Sequence, residues 1–276
     1  MKILYVTDLH GAAWKYDRLF DLACACKPDA VVNGGDMLPN TGNPLAQRDF
    51  IRDKLRSHFA EFDAIGVDYL CYLGNDDLRI WDRLFAETCD GFHGVHDIAQ
   101  SKAKVRGLEF IGMNWVADYP FRLKDRCRLD TSDGDIPPQM GRGLLSTRDG
   151  WRELDDWRTY AMGLPTLADE LEALVAPETP AECVYVFHMP PGRLGLDICH
   201  GGREVGSAAI HDFLANRRPR LSFHGHIHES PEIGGAWKAH LNDTLCVQPG
   251  QCDEDALVYA TVDTDSLTAC RHREMR

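Results

Sequence analysis

Five short apolar runs, each followed by a group of Asp, Asn or His residues, constrain this 276-residue chain more than any other feature. Residues 2–7 lead into Asp8 and His10. Ala30-Val31-Val32 leads into Gly34-Gly35-Asp36, and Asp68 to Leu73 leads into Gly74-Asn75-Asp76-Asp77. Val184-Tyr185-Val186-Phe187 leads into His188, and Leu221-Ser222-Phe223 leads into His224-Gly225-His226-Ile227-His228. Between the first three runs, residues 14–27 and 46–62 carry apolar side chains at helical spacing, as in Tyr16, Leu19, Phe20, Leu22 and Ala23. This β-α-β-α-β order predicts parallel strands joined by crossover helices. Open sheets of that kind bind ligands beyond the carboxyl ends of their strands. Residues i and i+2 of a strand project to the same side, so Asp8 with His10, and His226 with His228, can each reach one small site.

The remaining segments extend the pattern. Strands are expected within 104–116, a helix over 151–175 and another over 207–217, and the tail from Leu245 to about Cys270 reads as strand, which predicts a mixed sheet or a second sheet. No linker or internal repeat divides the chain, so residues 1–276 are expected to form one domain. Residues 118–150 are the least regular and read as an inserted loop or cap. Their charges balance: six basic residues (Arg122, Lys124, Arg126, Arg128, Arg142, Arg148) against Asp118, Asp125, Asp130, Asp133, Asp135 and Asp149.

Charge narrows the function. The formal net charge of −13 opposes general binding of nucleic acid or an anionic membrane. An enzyme with this balance that acts on an anionic ester needs a local positive centre, and metal ions supply one. The donor set of imidazoles, carboxylates and an amide suits Mn²⁺, Fe or Zn²⁺ better than Ca²⁺ or Mg²⁺. The seven donors Asp8, His10, Asp36, Asn75, His188, His226 and His228 exceed one tetrahedral site and fit two ions, with a carboxylate such as Asp36 between them. Ten cysteines without a Cys-x-x-Cys pair are expected to be reduced thiols. No apolar run approaches the ~20 residues that span a bilayer, and the N-terminus lacks a signal-peptide pattern, so a cytoplasmic location is expected.

The ordered blocks Asp8-x-His10, Gly35-Asp36, Gly74-Asn75-Asp76-Asp77, His188 and Gly225-His226-Ile227-His228 resemble the signature of the calcineurin-like metallophosphoesterases. The segments Phe187-His188-Met189-Pro190-Pro191-Gly192 and Gly225-His226-Ile227-His228-Glu229-Ser230 are similar to the small single-domain, bacterial-type branch. The resemblance implies a four-layer α/β/β/α sandwich with two mixed sheets. It implies that Asp8, His10, Asp36 and His228 hold one divalent ion, that Asn75, His188 and His226 hold a second, and that Asp36 bridges them, with Mn²⁺ the first expectation. The implied activity is hydrolysis of a small phosphate ester by a bridging hydroxide, a phosphodiester being favoured. A phosphomonoesterase or nucleotide phosphatase, a nuclease, and a non-catalytic metal-binding scaffold are the alternatives.

One position departs from the family pattern. Asp76 stands where the family places a His that protonates the leaving group or holds the phosphate, so Asp76 and Asn75 are the catalytic candidates. Asn40, Arg193, Arg203 and His224 are candidates for substrate contact. His93, His96, His200, His211 and His240 are expected to be structural or superficial, and the oligomeric state is left open.

Overall fold

A computed structural model describes residues 1–41, 43–134 and 136–276; Asp135, one of the six aspartates above, lies outside the described residues. The chain starts with four parallel strands, β1 (Lys2–Val6), β2 (Ala30–Asn33), β3 (Asp68–Cys71) and β4 (Val95–Asp97). It then builds a second sheet from β5 (Lys102–Val105), β6 (Leu108–Met113), β7 (Cys183–Phe187), β8 (Leu221–Phe223), β9 (Lys238–Leu241) and β10 (Thr244–Val247). Finally β11 (Ala256–Asp263) and β12 (Thr268–Met275) return to the first sheet. The strand orders are β12-β11-β1-β2-β3-β4 and β9-β10-β8-β7-β6-β5. Both sheets are mixed: β11 runs antiparallel to β1, while β5 and β9 run antiparallel to β6 and β10.

Strand alternation sets the packing. Ile3 and Tyr5 of β1 face inward, with Val32 and Leu70, onto Val184, Val186 and Phe223 of the second sheet. The Tyr5 and Phe223 rings stack with centroids 4.3 Å apart. Leu4 and Val6, one residue out of phase, face the opposite way. They pack against helices α1 (Ala13–Cys26), α3 (Arg56–Ile65) and α4 (Asp82–Cys89), α3 being preceded by α2 (Pro44–Phe50) and a π-helical turn. The outer face of the second sheet, including Met113, Tyr185 and Phe187, is covered by α5 (Trp157–Met162), α6 (Leu167–Ala173) and α7 (Ala208–Arg217). Strands covered on both faces are apolar throughout, which is why β2 and β7 read as continuous hydrophobic runs. Among the described residues, no helix is long and apolar enough to cross a membrane. All ten cysteines are free.

The helix expected over 151–175 is not continuous. Gly150–Leu154 is a strand paired antiparallel with Gly143–Thr147. Two short helices follow. Asp156 caps α5, Pro165 interrupts, and Thr166 with Asp169 forms the capping box that starts α6. The apolar spacing was real, but cap and breaker residues divided it.

The 118–150 segment is tied down by its own charges. Lys124 is only 1% exposed, its ammonium 2.6 Å from Asp118 and packed over the Tyr119 and Trp157 rings. Arg126, also buried, pairs with Asp82 and donates to the Gly74 carbonyl at 2.8 Å. Arg128 lies over the Trp115 ring and pairs with Glu170 at 2.9 Å. Removing one member of a buried pair strands the other charge, which costs about 3–5 kcal/mol. Lys124→Ala is therefore expected to lower stability by about that amount in urea unfolding, whereas the exposed Arg193→Ala is expected to stay within about 0.5 kcal/mol.

Candidate metal centre

The donor residues follow the carboxyl ends of parallel strands from both sheets. Past β1 and β2 the pairing continues through Asp8 N–H donating to the Gly35 carbonyl and His10 N–H to that of Asp36. Asp8, His10, Asp36 and His226 all have left-handed backbone, with φ of 57°, 43°, 50° and 68°. Such conformations are costly for residues other than glycine and gather at functional sites. Two glycines let the loops touch. A Cβ on Gly225 would lie 2.1 Å from Thr7 Oγ1 and 2.6 Å from Asp8 Oδ2, and one on Gly74 would lie 2.2 Å from Asp36 Oδ1. Gly225 is where the second sheet meets the first.

Two groups of donors result. Asp8, His10, Asp36 and His228 each place a ligand atom within 4.8 Å of the others, a group that could hold a metal ion. The Nε2 atoms of His10 and His228 are 3.1 Å apart. Beside them, Asn75 Oδ1 lies 2.8 Å from His188 Nε2 and 2.6 Å from His226 Nδ1. His188 Nε2 lies 3.4 Å from Asp36 Oδ2, so Asp36 touches both groups. His188 Nδ1 donates to the Gly34 carbonyl at 2.7 Å, which leaves Nε2 facing the cluster.

The electrostatics fit a cation. Asp8 and Asp36 are buried, and among the described residues neither is paired with Lys or Arg. Burial opposes ionisation of Asp36, but His188 and His10 hold it well below the usual carboxylate range. Asp8 is likewise lowered, against its burial, by His228 and His188. In return, and also against burial, Asp36 raises His188 to about 9 and Asp8 raises His228 to about 9. His226 is pushed down to about 3 by burial and by His188. Both imidazoles therefore favour their protonated forms in the metal-free cluster at neutral pH.

Cations must displace those protons. At pH 7 binding is expected to release protons, chiefly from His188 and His228, seen as buffer-dependent heats in isothermal titration. Both groups have raised values, so the protons are present below about pH 9. Affinity is expected to weaken about tenfold per pH unit per proton as pH falls from there.

Asp76 is half-buried beside the cluster. Its Oδ1 accepts from Asn75 Nδ2 at 2.8 Å and its Oδ2 from Asn40 Nδ2 at 2.6 Å. Burial and the Asp36 carboxylate raise it to about 7. Asn40 is exposed and meets Asp76. The other three substrate candidates do not converge with it. His224 is fully buried, with Nε2 2.8 Å from the Ser222 hydroxyl and Nδ1 donating to the Phe187 and Met189 carbonyls, so no ring nitrogen is left for a ligand. Arg193 is exposed and pairs with Asp212 at 3.1 Å. Arg203 is exposed on a two-stranded ribbon, Ile198–Cys199 with Arg203–Glu204.

Two residues without a role in the sequence pattern belong to the site's frame. Asp77 accepts from the backbone N–H groups of Met37, Leu38 and Gly74 at 2.7–2.9 Å, which clamps the Asp36 loop to the Asn75 loop. Only its place beside Asn75 hinted at this. Tyr119, from the irregular segment, places its hydroxyl 3.4 Å from Asn75 Nδ2 and its ring 5.6 Å from that of His226. No sequence signal marked it.

The family model described as calcineurin-like phosphoesterase matches residues 1–230. No protein of curated function matches the chain. Among solved structures, a protein of Thermus thermophilus is similar with a TM-score of 0.58 and 15% identity, covering 98% of this chain and 97% of that one. A dimetal phosphatase from Danio rerio is similar with a TM-score of 0.50 and 10% identity, covering 95% and 91%. At these identities the likeness concerns the fold. The family match over most of the chain, together with the Asp–His cluster at its strand ends, shows that the chain belongs to the calcineurin-like phosphoesterase family and is a metal-dependent phosphoester hydrolase.

Proposed function

We propose that the chain hydrolyses small phosphodiesters at a two-cation site. Asp8, His10, Asp36 and His228 would hold one ion, Asn75, His188 and His226 the second, and Asp36 would bridge them. The observation that supports this is the pair of adjacent donor groups that share Asp36. Mn²⁺ is the cation we favour for this mixed donor set, ahead of Fe or Zn²⁺. Such ions, when bound, would neutralise phosphate oxygens and supply an activated water.

The chain's own residues then position and protonate. The hydrogen bond from His188 to Gly34 fixes the ring, and the Asp77 clamp fixes the two loops. Asp76, while neutral, can pass its proton to the leaving oxygen; Asn40 and Asn75 hold its carboxyl in place. Once ionised, Asp76 repels a dianionic monoester more than a monoanionic diester, which favours the diester.

Hydrolysis of bis-p-nitrophenyl phosphate and p-nitrophenyl phosphate by the Mn²⁺-loaded chain tests this reading. The expected result is a higher kcat/KM for the diester. The reverse ratio would favour a phosphomonoesterase, and no turnover of either would favour an esterase of narrow specificity.

A further inference from the structure

We propose that Tyr119 and Phe121 form an aromatic platform at the rim of the metal centre that receives a flat aromatic group of the diester, an aryl ring or a nucleobase. This rests on the diesterase reading above. Four rings lie in sequence from the buried cluster to solvent. The His188 and His226 centroids are 5.3 Å apart, His226 and Tyr119 5.6 Å, and Tyr119 and Phe121 5.8 Å. His188 is buried, His226 and Tyr119 are half-buried, and Phe121 is 60% exposed. An aromatic side chain left in water beside a reaction centre forgoes burial that a substrate ring can restore. Met140, 68% exposed, adds to this apolar rim, its N–H donating to the Pro120 carbonyl between the two aromatic residues.

The Tyr119 half of the platform is held in place before any ligand arrives. The Tyr119 hydroxyl donates to the Leu123 carbonyl at 2.8 Å. Lys124 bonds the Tyr119 carbonyl and lies over its ring, while its partner Asp118 also accepts from Gln139. Preorganised rings lose little entropy on stacking. The surrounding charges do not explain Phe121, because Arg122 and Arg142 turn to Glu153. Tyr119 also touches Asn75, a proposed cation ligand, so a ring stacked on the platform adjoins the reacting phosphate.

The experiment keeps the leaving group constant and varies the other arm. Methyl, phenyl and thymidine-5′ p-nitrophenyl phosphates are compared for kcat/KM in the Mn²⁺-loaded wild type, Phe121→Ala and Phe121→Trp. Phe121 is exposed, so both variants are expected to fold. In wild type the aromatic-arm diesters are expected to outperform the methyl diester. Phe121→Ala is expected to lower the phenyl-to-methyl ratio about tenfold, and Phe121→Trp to preserve it. Equal effects on the phenyl and thymidine arms assign the platform to any flat ring; a larger effect on thymidine assigns it to a nucleobase. Unchanged ratios in Phe121→Ala, with normal turnover, would overturn the platform and leave the diesterase reading standing. Failure of wild type to hydrolyse any of the three would remove the diesterase reading and the platform with it.

Discussion

Asp36→Asn is expected to lower phosphodiester kcat/KM by at least about 10³-fold, because it removes a buried carboxylate that lies 3.9 Å from His10 Nε2 in one donor group and 3.4 Å from His188 Nε2 in the other. The substitution is close to isosteric, and an Asn oxygen can still accept from the Asp76 N–H, a bond of 2.8 Å in the native chain. Folding is therefore expected to survive, and a thermal unfolding midpoint within a few degrees of wild type would show it. The charge is the casualty. Without the Asp36 anion, burial pulls His188 below its present value of about 9, and the first donor group loses one of its two buried carboxylates. Both proposed cations weaken together. His10→Ala touches the first group only and is expected to spare the second.

The second large effect concerns the leaving group. Lost general-acid catalysis costs about 10²–10⁴-fold, and it matters most when the departing oxygen is a poor leaving group. Asp76→Ala is expected to cut the hydrolysis of a dialkyl diester by that factor, while bis-p-nitrophenyl phosphate changes by less than about tenfold. The pH profile carries the same signature. Burial and Asp36 raise the Asp76 carboxyl to about 7, so the proton-donating form dominates below that pH and is lost above it. Bound cations draw the value down, which places the falling limb for the alkyl ester at or below pH 7 and leaves the aryl ester without one. Equal losses on both esters would remove Asp76 from the proton-donating role.

The pattern that brought the site into view was local. Apolar runs followed by Asp, Asn or His needed only strand polarity to predict convergence, and Asp8, His10, Asp36, Asn75, His188, His226 and His228 do come together. The supporting structure was not local. Asp77 reads as one more acid beside Asn75 until Met37 and Leu38, some forty positions earlier, are seen to donate to it. Lys124, Arg126 and Arg128 look like solvated charges in an irregular stretch, and they are buried because Asp118, Asp82 and Glu170 neutralise them. Tyr119 carries no spacing signal, and only the path of the 118–150 segment brings its ring to His226. Arg193 shows the converse. Its neighbourhood in sequence suggested a phosphate contact, yet its guanidinium turns outward to Asp212. The helix expected over 151–175 divided at Asp156 and Pro165, where capping and breaking outweighed periodicity.

The proposed site has two cations sharing Asp36. Its most direct test is a titration of the metal-stripped chain with Mn²⁺, reading bound metal by elemental analysis and diester turnover on the same samples. Two ions per chain, with turnover rising only as the second site fills and both ions weakened in Asp36→Asn, is the predicted result. Full turnover with one bound ion, or two ions retained undiminished by Asp36→Asn, would contradict it.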